Sequence, residues 1–273
     1  MLALRPASQV PAEALEFGHL PAMMTALQTP LQPVAASAAA LVEAQGFLAE
    51  LHAAAQRHAF GGNELLYRDL VTLNSQAQAL VTETLGAGEV SAIVEQPAVR
   101  LQETGFPGFW RVRSFDAHGA LVADGIEVAP VPAVIPEAAL RGSSCRLRAK
   151  TAGPEVRTGP ALLTELLAAS ERADRAPTHV INLTLLPVSR DDISWLVAAL
   201  QIGPVTLLSR GCGNCRIVST RLRHTWWVQY FNSVNNLILN TIEVTPVPEA
   251  ALAAPVDFAD SLDGLGEWLA TLE

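Results

Sequence analysis

Lysine is nearly missing from this chain of 273 residues: Lys150 is the only one. Basic residues number 18 against 27 acidic ones, for a net charge of −9. So acidic a chain lacks the basic surface that displaces counterions from a phosphate backbone, and no nucleic-acid partner is expected. Cysteine is also scarce, with only Cys145, Cys212 and Cys215. An odd, low count does not make a secreted disulfide framework and suits a reducing compartment. No stretch is long and apolar enough to span a bilayer, so membrane insertion is not expected. Met1–Pro33 is broken by Pro6, Pro11, Pro21, Pro30 and Pro33 and lacks the apolar run of a signal peptide, which points to the cytoplasm. Catalytic patterns are missing as well. No serine, histidine and acid share a nucleophile motif. Gly211-Cys-Gly213 is too short for a nucleotide loop. No complete catalytic constellation is present, so neither enzyme activity nor a cofactor is expected.

What the chain does have is hydrophobic mass, 50% of residues, and an internal repeat. Shifted by 116 positions, residues 109–132 lie over 225–248 without a gap, and ten of these 24 positions are identical. They include Trp110/Trp226, Val112/Val228, Phe115/Phe231 and a twice-written Ile-Glu-Val-x-Pro-Val-Pro. Further upstream the shift becomes 115. Gly88-Glu-Val90 then meets Gly203-Pro-Val205, and Asn74 meets Ser189, both placed to cap a helix.

The expected fold is α+β: two tandem related copies of a helix-strand-helix module that runs into a mostly antiparallel sheet, with helices on one face. Residues 1–34 form a proline-rich arm, 35–132 the first copy, 133–159 a linker, 160–248 the second copy, and 249–273 an acidic tail helix. In each copy a short helix, 75–85 and 190–200, precedes the strands. Ile193, Leu196, Val197 and Leu200 give the second of these helices one buried stripe. The turns Asp116–Gly119 and Asn232–Asn236 close hairpins. No Lys or Arg follows Arg223, and the tail carries Asp257, Asp260, Asp263 and Glu267.

The stretch Arg210–Phe231 concentrates two cysteines, five basic side chains and three of the seven Trp/Tyr residues. Alternation places Trp226, Val228 and Tyr230 on one face of a strand and Trp227, Gln229 and Phe231 on the other. The first copy has Arg111 and Arg113 where the second has Trp227 and Gln229, and arginine is rarely buried unpaired. Trp226 and Val228 are thus expected in the core, with Trp227 and Gln229 facing outward or into a groove as an interface anchor. The alternative is that the tail helix or the other copy covers Trp227. Cys212-Gly-Asn-Cys215 precedes a strand rather than opening a helix, which disfavours dithiol redox chemistry. A structural zinc wants about four ligands. Cys212, Cys215 and His224, with the distant Cys145, make an incomplete set. Arg210, Arg216, Arg221, Arg223 and His224 form a basic cluster in sequence.

Gly213-Asn214-Cys215-Arg216 and Trp226-Trp227-Val228-Gln229-Tyr230-Phe231-Asn232 resemble the signature region of the HupH/HyaF/HoxQ family of nickel–iron hydrogenase expression/formation proteins. The family usually has an aromatic residue where Cys212 stands, which makes the cysteine pair incidental. The resemblance is strong over 178–254 and weak over the first half. It implies a cytoplasmic chaperone or scaffold for the small, iron–sulfur-carrying hydrogenase subunit before twin-arginine export, with a thioredoxin-like co-chaperone as companion. Gly213, Asn214, Cys215, Arg216, Trp227, Gln229, Tyr230 and Asn232 would then bind the partner, the precursor and its twin-arginine signal peptide. The competing expectation is a metal or iron–sulfur carrier that uses Cys212 and Cys215.

Overall fold

The computed structural model describes residues 37–149, 151–211 and 214–271. The arm expected at 1–34 lies outside them. So do Cys212 and Gly213. The chain divides into two compact units.

The first unit comprises residues 37–92, 97–133 and 252–271. Helix α1 (Ala38–Arg57) starts at Ser37, whose side chain accepts from the Ala40 amide. Strand β1 (Leu66–Asp69) leads to α2 (Ser75–Leu85), whose N-cap Asn74 accepts from the Gln76 and Ala77 amides, as its sequence predicts. Then come β2 (Val90–Val94), whose last two residues belong to the second unit, β3 (Ala98–Glu103), β4 (Phe109–Phe115) and β5 (Leu121–Val128). The strand order is β1-β5-β4-β3-β2, and the β1–β5, β4–β5 and β3–β4 pairs are antiparallel.

The second unit comprises 93–96 and 134–251. It begins with α3 (Val134–Leu140), inside the stretch expected as linker, and continues with α4 (Gly159–Ser170), β6 (His179–Asn182) and α5 (Arg190–Leu200). Four strands follow: β7 (Ile202–Ser209), β8 (Asn214–Thr220), β9 (Thr225–Phe231) and β10 (Leu237–Val244). Their order is β7-β8-β9-β10-β6, again with antiparallel pairs. The fold is α+β.

The units repeat one register. Phe109 faces Val128 and Arg111 faces Ile126; 116 positions later, Thr225 faces Val244 and Trp227 faces Ile242. The Trp110 indole donates to the Ala129 carbonyl at 3.1 Å, and Trp226 to that of Thr245 at the same distance. Both hairpins turn on one device: the side chain of Asp116 or Asn232 accepts two amides from its own turn. Gly119 and Asn235 take the positive φ that follows, 81° and 60°.

Each unit has its own core. In the second, Leu162, Leu166, Leu196 and Leu200 of the helices pack on Val218, Trp227 and Ile242 of the sheet. Helix α4 has no cap of its own. The buried carboxylate of Asp192, on α5, accepts from the Arg157, Thr158 and Gly159 amides, each at 2.8 Å, and from Ser189. Burial pushes the Asp192 pKa up, but these hydrogen bonds outweigh it and hold the value near about 2. In the first unit, Leu48, Leu51 and Val81 pack on Phe109, Ile126 and Val128. The acidic tail helix α6 (Pro255–Ala270) belongs here: Phe258 and Leu265 join this core, and Phe258 stacks on Phe60 at 3.9 Å. Its outward stripe is Asp257, Asp260, Asp263 and Glu267. Trp227 is therefore buried by the helices of its own unit, α4 and α5.

The expectation of helices on a single face needs correcting for the second unit. Helix α3 contacts β7 and lines a small cavity together with Trp226. Both faces of this sheet are buried.

Candidate functional site

Strand β9 lies between β8 and β10. One face carries Trp226, Val228 and Tyr230 beside Cys215, Ile217 and Ser219 of β8 and Thr241 and Glu243 of β10. The other carries Trp227 and Gln229 beside Arg216 and Val218, and Asn240 and Ile242. Trp226 and Val228 are in the core, as alternation predicts.

Trp227 and Gln229 are the correction. Expected outward, they are 1% and 0% exposed. The Trp227 indole donates to the Asn240 side chain at 2.6 Å. The inference failed at its premise about the first copy. Arg111 is not left to solvent but makes a bidentate pair with the buried carboxylate of Asp124, at 2.9 and 2.7 Å. A strand with two covered faces has no outward side, whatever its alternation.

Arg216 is as buried as Trp227, at 1%. Its guanidinium donates to the Gln229 side-chain oxygen from Nε at 3.1 Å and again through a terminal nitrogen, and lies 5.8 Å from the Phe231 ring centroid. Burial lowers its pKa to about 10, so it keeps its charge at neutral pH.

Cys215 is 3% exposed and hydrogen-bonded to the half-buried Tyr230. Burial pushes its thiol up to about 12; the Tyr230 contact opposes this and Glu243 adds to it. A thiol so buried and so firmly protonated is a poor nucleophile. Burial likewise raises Tyr230, helped by Cys215 and Glu243, and raises Glu243, which accepts from the Thr241 hydroxyl at 3.1 Å.

Of the zinc candidates, Cys215 and His224 do not converge. Cys215 is near the start of β8 and His224 beyond its end, roughly 15–20 Å away along the strand. His224 is held by Asp174 at 2.9 Å and by Arg223 at 3.2 Å. Among the described residues no group of three His, Cys, Asp or Glu side chains is arranged to hold a metal. The basic cluster of the sequence also separates: Arg210 is exposed, Arg216 is buried near the start of β8, and Arg221 follows its end.

Asn214 and Asn232 build the hairpin end. Asn214 donates to Asn235 at 3.1 Å, while Asn232 accepts from the Val234 and Asn236 amides at 3.1 and 2.9 Å. Of the predicted partner residues that the structure describes, only Asn214, Tyr230 and Asn232 reach solvent, each half-buried.

The sequence reading missed the apolar residues around them. Val234, Leu237 and Ile238 are exposed on this hairpin, Ile238 at 57%. Leu185, at 80%, and Leu186 are exposed as well, just after the Leu183-Thr184 pair that is bonded to β10. The Leu183 amide donates to the Asn240 carbonyl, and the Asn240 amide to the Thr184 hydroxyl, which brings the two stretches together. Strand β6 pairs only with Thr241–Val244. Among the described residues, no strand pairs with Leu237–Leu239 on that side, and β10 has an open half-edge there. The run Leu-Ile-Leu at 237–239, apolar without alternation, was the available signal.

The fold is α+β, with a buried central strand β9 and an exposed apolar hairpin end in the second unit. The chain belongs to the family described as HupH hydrogenase expression protein, whose C-terminal conserved region matches residues 41–150 and again 156–272. It is 39% identical over 271 residues to the hydrogenase expression/formation protein HoxQ of Cupriavidus necator, covering 97% of this chain and 94% of that protein. It is 41% identical over 262 residues to HupH of Rhodobacter capsulatus, covering 94% and 91%. It is 34% identical over 216 residues to the hydrogenase-1 operon protein HyaF of Escherichia coli, covering 76% and 74%. No described helix is long and apolar enough to cross a membrane.

Proposed function

We propose that this protein is a maturation factor for a nickel–iron hydrogenase and acts by binding. Its client is the precursor of the small iron–sulfur subunit, held in the cytoplasm before export, with a thioredoxin-like protein as companion. Family membership supports the pathway. One observation supports the mode: the exposed apolar set Leu185, Val234, Leu237 and Ile238 along the open half-edge of β10. Unpaired strand edges accept an extended segment by backbone hydrogen bonding, and apolar side chains beside them give such a segment something to bury. Asn214, Tyr230 and Asn232 form the rim of this surface. Cys215, Arg216, Trp227 and Gln229 shape it from beneath without touching the client.

The acidic stripe of α6 serves a second contact. Four carboxylates without an intervening base attract the basic start of a twin-arginine export peptide. The rival reading, a metal carrier, depends on a Cys215 thiolate, which burial disfavours.

We further infer that the two units descend from one duplicated module. The shared register, the matching hairpin device and the two segments matched by one family region support this.

The test is affinity capture with the hydrogenase operon expressed. Leu237→Asp with Ile238→Asp is expected to lower precursor recovery by about tenfold or more without changing the melting temperature. Unchanged recovery would overturn the surface. Neutralising Asp257, Asp260, Asp263 and Glu267 is expected to weaken capture at low salt only. A loss that persists at high salt would rule out charge attraction.

A further inference from the structure

Arginines far apart in sequence meet at the other end of the second unit's strands. The turn after β8 carries Arg221 and Arg223. The stretch after α3 is bonded to it: Ser144 bridges Leu222, the Ser144 amide donates to the Arg221 carbonyl at 2.9 Å, and the Arg223 amide donates to the Ser144 carbonyl at 3.1 Å. Beyond Ser144 the chain alternates. Leu147 and Ala149 pack against the core, which leaves Arg146 and Arg148 exposed. A third stretch is tied to the same turn. Ser170 donates to the Arg223 carbonyl at 2.8 Å, and Asp174 pairs with His224 at 2.9 Å and with Arg223 at 3.5 Å. That stretch exposes Arg172 and Arg175. Arg141 completes the set, fixed through the Gln96 carbonyl at 2.8 Å.

Seven arginines thus gather about one turn, on a chain of net charge −9; Glu171 and Asp174 are the acids of these three stretches, and Glu95 lies near Arg221. We propose that this collar is a docking surface for an acidic segment of another protein. The chemistry selects that partner. Guanidinium groups engage carboxylates bidentately. Among the described residues, no exposed aromatic stands among them to stack a base, and two acids within the collar oppose a dense polyphosphate. Among the described residues, no exposed apolar stripe accompanies the arginines to enter a membrane interface. The collar is independent of the client surface proposed above.

The test uses the full-length protein and a fluorescein-labelled decaglutamate peptide, followed by anisotropy. Among the described residues Arg146, Arg148, Arg172 and Arg175 make no ion pair, so replacing all four with Gln should leave the melting temperature unchanged. The wild type is expected to bind the peptide in a salt-sensitive manner, and the fourfold variant roughly tenfold more weakly. If the fourfold variant does not fold, Arg146→Gln/Arg148→Gln and Arg172→Gln/Arg175→Gln are each expected to give part of the loss. Absence of binding by wild type, or equal binding by the variants, overturns the proposal. So does tighter binding of decathymidylate, or of phosphatidylcholine vesicles containing phosphatidylserine.

Discussion

At one diagonal of the first unit, Arg111 on β4 reaches Asp124 on β5 and makes an ion pair. At the same diagonal of the second unit, Trp227 on β9 reaches Asn240 on β10 and makes a neutral hydrogen bond. One strand away, Arg100 lies opposite Arg113, whereas Arg216 lies opposite Gln229. Both arginines keep the same aromatic neighbour: Arg100 sits 5.0 Å from the Phe115 ring and Arg216 5.8 Å from that of Phe231. Geometry is retained while charge is withdrawn. In the first unit the arginines stay half-buried, and burial, then the neighbouring Arg111, lowers the Arg113 pKa. In the second unit one cation remains. Its neighbour offers an oxygen instead of a like charge, and the site is buried.

The most severe test of this contrast is truncation at the shared diagonal. Trp227→Ala is expected to cost about 3–5 kcal/mol, because it empties a fully buried site. Arg111→Ala should cost about 1–2 kcal/mol, the loss of a partly exposed pair. Chemical denaturation measures both; comparable costs would mean that the two units are packed alike.

Next in size is a difference in pH response. Glu103 in the first unit is buried, and burial lifts its carboxyl to about 7, against the opposing hydrogen bonds from Gly108 and Val90. A carboxyl raised in the folded state loses stability as pH climbs from its unfolded value through about 7. Glu103→Gln should therefore stabilise the protein by about 2–3 kcal/mol above that range and hardly at all near pH 4. Asp192 works in the opposite sense. Its depressed pKa gives stability above the unfolded value that is lost as pH falls toward about 2. Asp192→Asn should cost about 1–2 kcal/mol at neutral pH through the weakened α4 cap. Melting curves across pH separate the two, and parallel responses would contradict these assignments.

The exchange at the arginine pair spans a moderate and a very small expected effect. Gln229→Arg should destabilise by about 2 kcal/mol, since a second buried cation would face Arg216. Arg113→Gln should change stability by less than about 0.5 kcal/mol. If Gln229→Arg is tolerated, the buried neutral partner is not what permits burial of Arg216.

Much of the fold was legible. Asn74 and Ser189 cap helices because their side chains accept amides that a helix start leaves unpaired. Of the stripe Ile193, Leu196, Val197 and Leu200, the last three are buried and Ile193 packs half-buried against the same core, because three- and four-residue spacing puts these residues on one face. The site was less legible. Alternation separated Trp226 from Trp227 correctly, but periodicity assigns faces without saying what lies above them. Asp124 was the missing partner that made Arg111 a false guide, and a diagonal contact between strands has no signature in either strand alone.

The amino-acid sequence by itself determined the repeated register, the hairpin turns and the presence of an acidic amphipathic tail, because these follow from local spacing and short-range hydrogen bonding. Only the tertiary structure decided that Trp227, Gln229 and Arg216 are interior, that the tail helix completes the first unit's core, and that seven arginines from three stretches share one end of the second. Burial and charge clustering depend on which distant segments come to lie together, and long-range backbone pairing, such as Ser144 with Leu222, sets that.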